Sequence, residues 1–430
     1  MSRKSETQIS MNKPVQTQGI KNYEAKITIN GITVNPGNII SFYIRETIFE
    51  FLPTLNMVLE DNGQFEIYNP LYCGQIINVT ITKTGESKKT VNDVPFSIVK
   101  VEKNLVSSNT GGLNIIEVNA IYDNVSLFSG LKSKSFGKVN FSEVVSEIGR
   151  TVGIPSSKLN ISRSSDAMNW CCLNKTYTDF IRDSIKNSWI SESDCPVCFV
   201  DFDGKLNYRG IYENTKSENR ISMVFDSTGV FIPATVDSGA VQTGESHSNV
   251  VIPFYDYEFK DFSGYMNSMD GGFSTTLSWF SNENSKLEKE TYNTIPKTNL
   301  SIYSNVNKDQ NTDVTKHYSF SSDMFSIHKN YFKAAVKNSM ILKRIFSESL
   351  VLFGSSVSDY QNFSLLSKVN VKIPNAYKNG EKALYESGDY LVGGIIIAMN
   401  KDVMNEIYIC HRDGYNEGAV KGSMDGLIRI

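Results

Sequence analysis

The chain has 430 residues, with 43 lysines and arginines against 46 aspartates and glutamates, so its formal net charge is −3. Because this charge creates no strong positive field, we expect neither sequence-specific binding to nucleic acid nor binding to anionic membranes. The length is enough for about two to four domains, each with its own core.

The N-terminal stretch 1–19 is polar and lacks the apolar run of a secretory signal, so we predict a flexible arm there. No run of about 18 apolar residues occurs, and therefore no transmembrane helix is expected. The six cysteines are sparse for this length, which favours folding in a reducing cytoplasm.

Residues 20–135 have the pattern of an antiparallel β-barrel. Several runs alternate apolar and polar residues at short intervals. Asn30-Gly31 between two such runs predicts a hairpin turn, and Pro53 marks a bend between two strands.

Residues 136–215 combine helical and strand periodicity, which predicts a small α+β domain. One helix is expected at 141–154 with Asn140 as its N-cap. A second is expected at 176–190, where Thr176 and Asp179 have capping-box spacing and Trp189 ends the apolar stripe. A hairpin turned at Asp203-Gly204 follows.

The remaining chain is predicted as a second β-barrel that is interrupted in sequence. Its strands are placed at 216–250 and 360–415, and 251–359 is predicted as an insert domain with a long helix at 324–353. Residues 416–430 form a C-terminal tail. The predicted fold class is therefore mainly β with α+β inserts, built on two tandem tube-like antiparallel barrels.

The order of these elements resembles the baseplate hub protein of contractile-tailed bacteriophages and the matching hub part of type VI secretion spike proteins. The likeness runs in order over about 23–415. Its principal stretches are FLPTLNMVLEDNGQFEIYNPLYCGQIINVTI, TYTDFIRDSIKNSWI followed by CFVDFDGKLNYRG, the predicted helix at 324–353, and YESGDYLVGGIIIAM with NEIYICHRDGYN.

This resemblance implies a non-enzymatic homotrimer that adapts a sixfold tail tube to a threefold central spike. Its implied partners are the tail tube protein, the spike protein and neighbouring baseplate proteins. The implied location is the virion tail, assembled in the host cytoplasm. Two alternatives stay open: a tail-associated cell-wall hydrolase, and the spike base of a type VI or related contractile secretion system.

The motif Cys195-Pro196-Val197-Cys198 has the CxxC spacing of redox pairs and of half a zinc site. It runs into a predicted strand instead of opening a helix, and the adjacent Cys171 and Cys172 are poorly placed to complete a metal site. We therefore favour buried strand cysteines over a zinc or redox pair, and we expect no metal or cofactor.

Asp201 and Asp203 are the residues on which a hydrolase hypothesis depends, because glycosidases use paired carboxylates. Their position at a hairpin turn favours a solvated structural role. His411-Arg412-Asp413 has the letters of a kinase catalytic triplet, but no glycine-rich loop or DFG motif accompanies it. No catalytic residue is therefore predicted.

The chain closes with the apolar residues Leu427, Ile428 and Ile430 just beyond the predicted second barrel. We predict that they contact a neighbouring subunit or the spike.

Overall fold

The computed structural model describes residues 23–61, 64–83, 89–108, 111–216, 221–225, 250–261, 275–281, 285–292, 300, 303–304, 314–318, 327–346, 348–354, 364–373, 386–400 and 403–415. The α-helices in these residues are α1 (Gln64–Tyr68), α2 (Val125–Phe128), α3 (Phe141–Thr151), α4 (Tyr177–Ile185), α5 (Ile211–Thr215) and α6 (Tyr331–Ile345). None of these helices is long and apolar enough to cross a membrane.

The strands of the first half are β1 (Tyr23–Ile29), β2 (Ile32–Thr33), β3 (Ile39–Thr47), β4 (Thr54–Asp61), β5 (Ile76–Lys83), β6 (Lys89–Ser108), β7 (Gly111–Tyr122), β8 (Lys132–Val139), β9 (Leu159–Ile161), β10 (Met168–Lys175), β11 (Pro196–Val200) and β12 (Leu206–Gly210). The strands of the second half are β13 (Ile221–Phe225), β14 (Val250–Phe254), β15 (Asp256–Asp261), β16 (Thr275–Ser281), β17 (Lys286–Tyr292), β18 (Tyr303–Ser304), β19 (Val314–Tyr318), β20 (Glu348–Gly354), β21 (Lys368–Lys372), β22 (Gly388–Asn400), β23 (Val403–Arg412) and β24 (Gly414–Tyr415).

One large sheet connects both ends of the chain, in the order β14-β13-β21-β22-β3-β4-β7-β6-β5-β1-β2, with β23, β20 and β15 branching from β22. The prediction of a mainly β chain with α+β inserts and two tube-like β units is confirmed. The expectation of purely antiparallel pairing needs one correction, because β13 pairs in parallel with both β14 and β21. Parallel neighbours require a long connection, and 226–249 separates β13 from β14.

Strand β22 is shared by the two β units. Its first part pairs with β21 through Leu391, and its later part pairs with β3 from Gly394 to Asn400. Ile395 and Ile397 lie two residues apart and so share a face of the strand. Ile395 packs in the core of the second unit and Ile397 in the core of the first. A single continuous strand thus joins two separate hydrophobic cores.

A bulge between Val392 and Gly394 marks the point where β22 changes partner. A Cβ atom at Gly393 would lie 2.5 Å from Cδ2 of His411. The His411 ring is held between Phe49 and Phe346, at centroid distances of 5.6 and 4.7 Å.

We expect Gly393→Ala to lower the free energy of unfolding by roughly 1–3 kcal/mol, because the histidine ring has little room to move away. Gly137→Ala is the matched control, since its Cβ would meet only Asn169, at 3.7 Å. Denaturant midpoints of the two variants check this expectation. Equal midpoints would show that the strand crossing tolerates a side chain.

The third core belongs to the small α+β unit, where α3 and α4 pack with β8, β10 and β12. The predicted N-caps of both helices are confirmed. The Glu143 carboxylate accepts a bond from the Asn140 N–H at 2.9 Å, and the Thr176 hydroxyl accepts one from the Asp179 N–H at 3.1 Å. Helix α4 ends at Ile185, so the prediction that Trp189 continues it is wrong, although Trp189 is buried.

The predicted helix at 324–353 is shorter than expected. Helix α6 spans Tyr331–Ile345, and Glu348–Gly354 forms strand β20 between β15 and β23. Pairing along both edges satisfies the backbone of β20, which outweighs the local helical periodicity. Strands β15 and β20 belong to the main sheet. The prediction that 251–359 forms a separate insert domain is therefore wrong for the residues of these two strands. The arm at 1–19 and the tail at 416–430 lie outside the described residues.

Candidate functional site

Helix α1 is fixed on the first β unit by polar contacts at its start and at its central residue, Glu66. The Asp61 carboxylate accepts bonds from the N–H groups of Phe65 and Glu66 at 3.0 and 3.1 Å. The Glu66 side chain forms an ion pair with Lys103 of β6. This short helix therefore has a defined position against β6.

The turn after α1 is tied to the same strand. The Gly74 N–H donates to the carbonyl of Ile98 at 2.8 Å, and the Cys73 thiol lies 3.3 Å from the carbonyl of Val99. Gly74 has φ of +91°, a conformation that favours glycine. Helix α1 and this turn thus flank one stretch of β6.

Four large side chains on these elements face solvent, and we call them the α1 patch: Ile67, Tyr68, Tyr72 and Val99. Their exposed fractions are 75%, 84%, 59% and 45%, respectively. Grouped exposed apolar and aromatic side chains on a rigid support are typical of protein–protein contacts. The sequence predicted a contact at the C-terminus but not at this patch, although Tyr68 and Tyr72 stand close together in it.

The β11–β12 hairpin of the small unit inserts into the first β unit. Phe202 is buried in the core of that unit, and the Val200 N–H donates to the carbonyl of Phe51 at 2.8 Å. The Phe202 N–H donates to the Glu46 carboxylate of β3 at 2.7 Å. We call this contact the hairpin junction.

Glu46 is fully enclosed at the hairpin junction. Burial raises its pKa well above the usual range, and the nearby carboxylates of Asp201, Asp203 and Glu406 act in the same direction. Lys205 is the cation that faces this group. Since the folded protein holds the proton more tightly than the unfolded chain, stability falls as the pH rises from the ordinary glutamate pKa to the raised pKa of Glu46.

We expect Glu46→Gln to be more stable than the natural chain at neutral pH, because the amide keeps an acceptor for the Phe202 N–H and removes an ionisation penalty. The gain is on the order of 1 kcal/mol or more and vanishes below about pH 4. Denaturation at several pH values measures it. Glu46→Ala, which lacks the acceptor, should be destabilised at every pH. If the stability of Glu46→Gln depended on pH in the same way as that of the natural chain, the assignment would be contradicted.

No protein-family model matches the chain, and no curated protein matches its sequence. The structure is similar to the 43 kDa tail protein of prophage MuSo2 from Shewanella oneidensis, with a TM-score of 0.55 and 9% sequence identity, over 92% of this chain and 100% of that one. It is also similar to a tail protein from Neisseria meningitidis MC58, with a TM-score of 0.54 and 11% identity, over 91% and 97% of the two chains.

The chain has the fold of phage tail proteins. The resemblance predicted from sequence is confirmed at this level. A PdpA–VgrG complex from Francisella also matches, with a TM-score of 0.49 and 10% identity, over 94% of this chain and 55% of that one.

Within this tail-protein fold the CxxC cysteines lie in different cores. Cys195 packs in the core of the second β unit and Cys198 in that of the small unit. Burial raises the pKa of both thiols far above the usual range, which disfavours the thiolate that metal binding and redox exchange require. The geometry therefore supports the interpretation of buried strand cysteines. Among the described residues, no cluster of three or more metal-ligating side chains forms.

Asp201 and Asp203 both make polar contacts within the β11–β12 turn. The Asp201 carboxylate accepts bonds from the Lys205 N–H at 2.9 Å and from the Asn207 amide at 3.0 Å, and Asp203 pairs with the Lys205 ammonium at 2.8 Å. Both carboxylates are therefore engaged in contacts within the turn. Their position therefore supports the turn interpretation over a hydrolytic pair.

In the tail-protein fold Arg412 is fully buried, with its guanidinium 4.5 Å from the ring centre of Tyr390 and a bond to the carbonyl of Ser387 at 3.2 Å. His411 and Asp413 are also buried. The triplet His411-Arg412-Asp413 is therefore part of the packed end of strand β23. Leu427, Ile428 and Ile430 lie outside the described residues, so their predicted role stays a prediction.

Proposed function

We propose that this chain is the baseplate hub of a contractile phage-type tail, a homotrimer that adapts the sixfold tail tube to the threefold central spike. The observation that carries the proposal is strand β22, which joins two tube-like β units within one chain. Three such chains in a ring would present six units to a hexameric tube. The shared fold with phage tail proteins supports the same role.

The proposed role is structural rather than enzymatic, and the proposed location is the tail of the virion. The partners that follow are the tube protein, the spike protein and neighbouring baseplate proteins. Both turn aspartates are engaged in hydrogen bonds or ion pairs, which supports a role without catalysis. Release of soluble fragments from peptidoglycan by the purified chain would contradict this part of the proposal.

The mass of the full chain in solution, measured by light scattering with and without its spike partner, tests the trimer. We expect a species of three chains, and a ring with three large lobes in electron micrographs. A chain that stays monomeric with its spike partner present would overturn the proposal.

The α1 patch is the proposed subunit contact on the first β unit. We expect Ile67→Glu with Tyr68→Glu to reduce the trimer fraction at least about tenfold, because each change would bury an uncompensated charge in the contact. Leu173→Glu is the matched control, since Leu173 is 67% exposed on the small unit. A trimer fraction that is unchanged in the double variant would exclude the patch from the contact.

Residues 427–430 are proposed as a second contact with a neighbouring subunit or the spike. Deleting them should weaken assembly without changing the unfolding midpoint. Assembly at full strength after the deletion would refute this contact.

A further inference from the structure

A groove runs between α4 and α6, outside the α1 patch and the hairpin junction. It encloses a volume of about 690 Å³ and is open along one side. Ile185 and Pro196 form its apolar wall on the α4 side. The volume is within the range of small-molecule pockets, whereas the open side favours an elongated occupant that lies along the surface.

The α6 wall presents one helical face to the groove. Phe332, Ala335, Ser339 and Leu342 line it at intervals of three, four and three residues. All four are partly accessible, whereas Ala334 and Ile341, which face away from the groove, are buried. A stripe with this spacing, apolar except at Ser339, is a surface against which an amphipathic helix packs.

The two walls are held in place by side-chain bonds to backbone groups. The Asn187 amide donates to the carbonyl of Tyr331 at 3.1 Å. The Asn338 amide donates to the carbonyls of Lys186 and Ser188 at 3.1 and 2.9 Å. Because these bonds cross between the small unit and α6, the groove is formed before any partner binds, which lowers the cost of binding.

The rim of the groove is positively charged. Arg182 and Lys186 are exposed, line the groove and lie four residues apart at the end of α4. Within the described part of the chain, neither side chain has an ion-pair partner, and no carboxylate lines the groove. Charge complementarity therefore selects an occupant with acidic side chains beside its apolar stripe.

We propose that the α4–α6 groove docks an amphipathic helix of a partner protein, with its apolar stripe against α6 and its acidic side chains against Arg182 and Lys186. The groove lining shares no residue with the α1 patch or the hairpin junction. The proposal holds or fails independently of the hub role.

The test uses the full chain and a synthetic peptide of about two heptads, with leucine at positions a and d and glutamate at e and g. The flanking glutamates oppose pairing of the peptide with itself. Fluorescence anisotropy of the labelled peptide measures binding. A peptide with lysine in place of glutamate is the control for charge, and a scrambled peptide is the control for the stripe.

We expect saturable binding of the glutamate peptide alone. Arg182→Glu with Lys186→Glu should weaken it by about tenfold or more, since two attractions become repulsions. Ala335→Arg, which fills the groove while keeping a good helix former, should weaken it to a similar extent. Lys26→Glu with Lys329→Glu, a reversal of two exposed cations outside the lining, should change the affinity by less than about twofold.

Absent binding, equal binding of the lysine peptide, or full affinity in the charge-reversed variant would overturn the proposal. Light scattering tests the other possible occupant of the groove, which is a second copy of the chain. If the charge reversal abolishes self-association instead of peptide binding, the groove is a subunit contact and the proposal of a partner helix is wrong.

Discussion

Replacing Asp166 by alanine is expected to lower the free energy of unfolding by about 3–5 kcal/mol. Asp166 is fully buried in the small unit, and its carboxylate accepts four hydrogen bonds. The donors are the N–H of Phe141 at 2.8 Å, the hydroxyls of Ser164 and Ser188 at 2.6 Å each, and the N–H of Trp189 at 2.9 Å.

The expected loss of stability is large because buried hydrogen-bond donors lose their acceptor. Removing the carboxylate leaves two buried backbone N–H groups, at the start of α3 and at Trp189, without their acceptor, whereas the hydroxyls of Ser164 and Ser188 keep Ser142 and Tyr208 as partners. Asp166→Asn should be milder than Asp166→Ala, because the amide keeps one acceptor oxygen. It should still destabilise, because its NH₂ group faces donors.

Denaturant unfolding followed by tryptophan fluorescence measures this loss, since Trp170 and Trp189 both lie in the small unit. Asp203→Ala is the control, an exposed aspartate whose removal should have little effect. Similar midpoints for Asp166→Ala and Asp203→Ala would show that the buried network does not hold the small unit together.

Replacing Phe202 by alanine is expected to cost about 3–5 kcal/mol and to loosen the small unit from the first β unit. The ring is 7% exposed and packs in a core to which the rest of its own unit does not belong. Its loss leaves a cavity at the hairpin junction, beside the backbone bonds of Val200 to Phe51 and of Phe202 to Glu46.

Hydrogen exchange of the Val200 amide measures this loosening, because that N–H is protected by the carbonyl of Phe51. We expect exchange to accelerate by at least about tenfold in Phe202→Ala and much less in Phe202→Leu, which keeps most of the buried volume. Unchanged protection in Phe202→Ala would mean that the junction is held by contacts other than this ring.

Local features of this chain were readable from the sequence. The caps at Asn140 and Thr176 were predicted correctly, because an N-cap depends on side chains within three residues of the helix start. The turns at Asn30-Gly31 and Asp203-Gly204 were also correct. The glycines there have φ of +81° and +69°, a conformation that glycine adopts at little cost.

The order of strands and helices along the chain also carried the resemblance, which the fold confirms at the level of phage tail proteins. The sequence alone could not reveal the α1 patch or the α4–α6 groove. Each of these surfaces combines residues from separate elements, and exposure depends on what the rest of the chain covers.

Tertiary pairing decided the remaining features. Residues 348–354 have apolar residues that suit a helix as well as a strand, and they become β20 because β15 and β23 offer partners along both edges. Phe202 has the local pattern of a hairpin residue, yet its ring enters the core of another unit. The sequence thus determined which short segments could form helices, strands and turns. Only the tertiary structure decided which strands pair and which cores they share, because those contacts join residues that are far apart in the chain.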